Sequence, residues 1–126
     1  MEIALQILLG LVALICLLGG MNLLIKGTTS FLPGDTAPQP ILDNLFRFLS
    51  GIYFALGFLM AYVVFNFNEI KTLIYFIGLV VIFSGLGRLY SRIKVGPSTK
   101  YLFNIMCIEI LLGSAIIILE FFRQQQ

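Results

Sequence analysis

The chain has 126 residues, 60% apolar and only 11% charged, with no His, no Trp and a net charge of +2; its mean hydropathy is +1.04. A soluble domain carries about 25% charge, so this chain has too few charged groups to cover a water-facing surface. The missing histidines exclude His-dependent triads and His metal sites, and so small a net charge argues for no nucleic-acid partner.

The length fits one domain over residues 1–126. Ile3 to Ile25 is an uncharged run of about 23 residues, more than the roughly 20 a helix needs to cross a bilayer. It is expected to remain as a true span, because Glu2 stands where a secretory leader would be basic and no A-x-A site follows. A polar loop from Lys26 to Asn44 follows, holding Pro33-Gly34, Pro38 and Pro40. The second span, 45–65, is interrupted only by Arg47.

Asn66 and Glu69 stand at capping-box spacing, and so short a turn makes helices two and three antiparallel neighbours. Thr72 to Gly87 is about 16 residues, or roughly 24 Å of helix. That is short of the roughly 30 Å hydrocarbon core, so the third span is set at 71–94, running through Arg88. Gly96-Pro97-Ser98-Thr99 supplies a stop, a breaker and an N-cap. The fourth span, 100–122, contains Glu109 and Glu120. None of these runs alternates as barrel strands do. The expected fold is all-α, a four-helix transmembrane bundle.

Ionisable groups inside lipid are costly and are functional candidates by default. Glu109 leads. It lies roughly 13 Å along the helix from Lys100, on a stripe of Leu102, Ile105, Gly113, Ile116 and Glu120. Arg88 lies roughly 9 Å away in depth by helix rise, so the two are expected to share a polar site, with Arg47 capping it from helix two. The same residues would equally serve as a structural ion pair or, for the arginines, as snorkelling interface groups.

Gly10, Ala13 and Gly20 on helix one, Gly57 and Ala61 on helix two, and Gly113 on helix four read as helix-packing positions. Arg92, Lys94 and Lys100 read as basic residues facing lipid headgroups. Tyr62, Phe65, Phe67 and Tyr75 form one aromatic belt, and Tyr90, Tyr101 and Phe103 the other. Cys16 and Cys107 lack C-x-x-C spacing and read as inert buried thiols. Lys and Arg concentrate around loops one and three, which places those loops in the cytoplasm and both termini outside.

Phe46-Arg47, Ser50-Gly51-Ile52-Tyr53, Leu56-Gly57, then Ser84-Gly85-Leu86-Gly87-Arg88-Leu89-Tyr90-Ser91, Gly96-Pro97-Ser98 and Glu109 together resemble a family of small four-helix bacterial inner-membrane proteins known as a domain of unknown function. The group is similar to the broader DoxX-like set. The resemblance implies a fold, a location and characteristic Arg, Arg and Glu positions at Arg47, Arg88 and Glu109, but no activity. With no catalytic motif in the chain, the expectation is a non-enzymatic envelope protein without cofactor or metal. It would bind membrane lipids or partner membrane proteins as a homo-oligomer, a trimer in the first instance. The alternative is a small transporter or channel using the Arg/Glu cluster.

Overall fold

The computed structural model describes residues 1–126 in full. It is all-α, with α1 at Glu2–Lys26, α2 at Pro40–Phe65, α3 at Lys71–Val95 and α4 at Lys100–Gln124, and a single 3-10 turn at Gly27–Ser30. Each of the four helices is long and apolar enough to cross a membrane. The all-α, four-span class expected from the sequence is therefore present.

Helix boundaries follow local chemistry. α2 starts at Pro40 rather than at Leu45. A proline suits the first helical position, where its missing N–H is no loss, and the Gln39 carbonyl accepts from Asp43 N at 2.9 Å. The capping box at Asn66–Glu69 does not form. Asn66 lies past the end of α2, and its carbonyl accepts from Glu69 N at 3.0 Å in a turn. α3 begins only at Lys71, after Ile70, which offers no side-chain cap. The intervening residues carry Phe67 into a buried position, and that burial outweighs the capping signal. At the other end of α3 the stop works as expected: Gly96 takes φ +119° and donates to the Arg92 carbonyl. Thr99 then caps α4, its Oγ1 accepting from Leu102 N at 3.3 Å.

The chain divides into two compact units, Met1–Leu8 with Asn66–Gln126, and Leu9–Phe65. In the first, α3 and α4 form an antiparallel hairpin packed on glycines. A Cβ at Gly113 would stand 2.7 Å from the Gly78 carbonyl oxygen, and one at Gly85 would stand 3.0 Å from the Met106 oxygen. Lipid supplies no hydrophobic drive between helices, so close backbone approach is how such a seam gains its dispersion energy. Ile116 and Glu120 are fully buried on the α4 face that also bears Gly113.

In the second unit, Gly20 of α1 lies against the Phe54 backbone and Gly57 of α2 against Leu17. The Cys16 thiol meets the Met60 sulfur at 3.8 Å. Ala13 is buried and Ala61 half-buried, while a Cβ at Gly10 would meet nothing within 4 Å. Large apolar side chains such as Ile3, Leu18, Phe83 and Leu111 are exposed. In water such a surface would be a liability; in a bilayer it faces a solvent as apolar as itself.

Candidate functional site

Three arginines each hold a carboxylate. On the hairpin of α3 and α4, Arg88 Nε donates to Glu109 Oε2 at 2.8 Å and Nη2 donates to Oε1 at 3.2 Å. This is the two-pronged geometry that gives an arginine–carboxylate pair both strength and direction. The Glu109 side chain is 12% exposed and that of Arg88 is 38% exposed, so the acid is enclosed while the guanidinium keeps one open side. Arg88 stands one turn beyond Ser84 and directly after the glycines that bring α3 close to α4. The acid on α4 is thereby within reach.

Arg47 holds a different partner. Its Nε donates to Asp43 Oδ2 at 2.7 Å, one turn back on α2. Its Nη1 donates to the carbonyl oxygens of Leu24 at 2.6 Å and Ile25 at 3.3 Å. Those carbonyls lie in the last turn of α1, where a helix leaves four acceptors without intrahelical donors. Asp43 completes the clamp by accepting from Thr28 N at 3.0 Å through Oδ1. Gly27 makes that approach possible: it takes φ +57°, and a Cβ there would collide with the Asp43 carboxylate. Arg88 is thus paired with Glu109 and Arg47 with Asp43.

The most enclosed ionic site had no place in the sequence reading. Arg123 and Glu120 sit one turn apart at the end of α4 with side chains 7% and 0% exposed. Glu120 accepts from Arg123 Nε at 2.7 Å, from Arg123 Nη2 at 2.9 Å and from Gln124 Nε2 at 2.7 Å. Arg123 also donates to Asn68 Oδ1 at 3.1 Å and the Phe67 carbonyl at 3.2 Å, and stacks over the Phe67 ring at 5.0 Å. The i, i+3 spacing of Glu120 and Arg123 carried the signal.

Arg92 differs from the other three arginines in having no carboxylate. Its guanidinium lies 4.7 Å over the Phe103 ring. A cavity of about 130 Å³ opens beside it, lined in part by Arg88, Ser91, Ser98 and Phe103. Lys94 and Lys100 are exposed at the same turn. No three His, Cys, Asp or Glu side chains come together as a metal site would require.

Residues 4–120 match the family model of a domain of unknown function, DUF4345. The chain belongs to that family. No curated protein and no solved structure matches it. The DUF4345 match covers all four helices nearly end to end and includes Arg47, Arg88, Arg92 and Glu109, together with the glycines of the α3–α4 seam.

Proposed function

We propose that this DUF4345 protein is a non-enzymatic, multi-pass protein of the bacterial inner membrane that acts as a homo-oligomer and binds lipid or partner membrane proteins. The observation that supports this reading is that Arg47, Arg88 and Arg123 are each closed on a carboxylate. A group that moves a proton or a substrate has to change partners, whereas these pairs satisfy one another and hold helix ends or helix pairs in register. Gly10, Gly51 and Gly87 have open space where a Cβ would go; small residues of this kind let a second copy approach. The excess of Lys and Arg around loops one and three supports an orientation with those loops in the cytoplasm and both termini outside.

Light scattering in mild detergent, with detergent mass subtracted, tests the assembly. The expected mass is a multiple of the 14.1 kDa chain, a trimer in the first instance, and a monodisperse monomer would refute it. The second reading, a small transporter working through Arg88 and Glu109, draws on the open side of the Arg88 guanidinium beside the cavity. Transport activity abolished by Glu109→Gln in a protein that stays folded would favour it.

A further inference from the structure

We propose that the turn between α3 and α4 binds the phosphate of an anionic lipid headgroup, with Arg92 as the principal ligand and Lys100 and Ser98 beside it. The inference rests on the lipid-binding reading above and gives it a site. Of the four arginines only Arg92 lacks an acid. The guanidinium lies over the Phe103 ring, 4.7 Å from its centroid, and its N–H donors meet no protein acceptor. A planar fork of donors matches the oxygens of a phosphate.

The surroundings suit the same ligand. Two cavities share Arg92, Ser98 and Phe103. One, of about 320 Å³, extends over Lys100 and Asn104; the other, of about 130 Å³, reaches inward to Arg88 and Met106. Arg88, Arg92 and Lys100 line these cavities, and the acid nearby, Glu109, is already bound to Arg88. The local field is therefore positive. The N-terminus of α4 adds a partial positive charge of its own.

Two features select a lipid over a free anion. The turn joins two membrane-crossing helices, which sets it at headgroup depth. The inner cavity descends from Ser98 past Leu102 to Met106, giving the glycerol and upper acyl carbons an apolar wall directly below the phosphate.

Native mass spectrometry of the intact protein, released from mild detergent and titrated with phosphatidylglycerol and separately with phosphatidylcholine, tests the site. Phosphatidylglycerol is expected to bind more tightly. Arg92→Gln should weaken it about tenfold, the loss expected for charged hydrogen bonds. Lys100→Gln, at an exposed position, should weaken it about fivefold, as expected for one basic group at an anionic surface. Phosphatidylcholine should be unaffected by either change. Equal affinity of both variants and the parent for phosphatidylglycerol, or no preference over phosphatidylcholine in the parent, would overturn the site and leave general lipid binding standing. Retention of neither lipid would overturn both. Displacement of phosphatidylglycerol by millimolar inorganic phosphate alone would reassign the site to a free anion and overturn the lipid inference.

Discussion

Replacing Glu120 by Leu should be among the most damaging single changes in this protein. The side chain is fully buried and accepts three hydrogen bonds, two of them from a guanidinium that is itself only 7% exposed. Removing one member of a buried ion pair leaves the other charge uncompensated, at a cost of about 3–5 kcal/mol. Glu120→Gln keeps a carbonyl for one arginine N–H and loses the charge, so its loss should be smaller, about 1.5–3 kcal/mol. The double variant Glu120→Leu with Arg123→Leu removes both charges together. Asn68 and Gln124 are exposed and can turn to solvent, which leaves the Phe67 carbonyl as the main buried acceptor without a donor. The double should therefore recover to within about 1–2 kcal/mol of the parent.

The chain has no Trp, but one of its two cysteines, Cys16, is buried. Reaction with a thiol-specific fluorogenic dye across an SDS titration from mild detergent thus reports unfolding directly. A Glu120→Leu variant within about 1 kcal/mol of the parent, well below the buried-pair range, would refute the reasoning. So would a double variant no more stable than either single.

Three further outcomes follow from the geometry. Arg88→Gln and Glu109→Gln should each destabilise in the same assay by about 1–2 kcal/mol, less than at Glu120 because Arg88 keeps an open side, and the double should recover much of the loss. Gly113→Ala, whose Cβ would press on the Gly78 backbone and Ile82, should cost about 1–3 kcal/mol; Gly87→Ala, in open space, should be neutral or gain up to about 1 kcal/mol from helix propensity. A phosphatase fused after Gln126 should be active and a fluorescent protein there dark; the reverse pattern would overturn the orientation.

The spans were legible because an uninterrupted apolar run of bilayer length has few alternatives, and lipid enforces helix on any segment that crosses it. The Arg88–Glu109 pair was legible too. Their depths follow from helix rise alone, and neither charge tolerates isolation in hydrocarbon. The Arg47–Asp43 pair was not legible, because the apolar run of the second span begins only at Leu45 whereas α2 starts at Pro40. That left Asp43 in the loop and concealed its i, i+4 relation to Arg47, which Pro40 at the first helical position would have revealed. Phe67 reads from the sequence as part of an interfacial belt, yet it is buried beneath the Arg123 guanidinium, which a buried acid holds in place. The capping box failed for a related reason: spacing can nominate a cap, but the burial of Phe67 decided where α3 begins.

The clamp at Arg47 bears on how the protein is made. The final carbonyls of α1, at Leu24 and Ile25, are satisfied by a side chain that reaches the ribosome's exit more than twenty residues later. Thr29 Oγ1 donates locally to the Lys26 carbonyl at 2.6 Å, but Leu24 and Ile25 wait for Arg47. Asp43 likewise holds the Thr28 amide only once the first turn of α2 has formed. The polar closure of the α1 C-terminus is therefore supplied by its successor, which ties the end of one span to the start of the next.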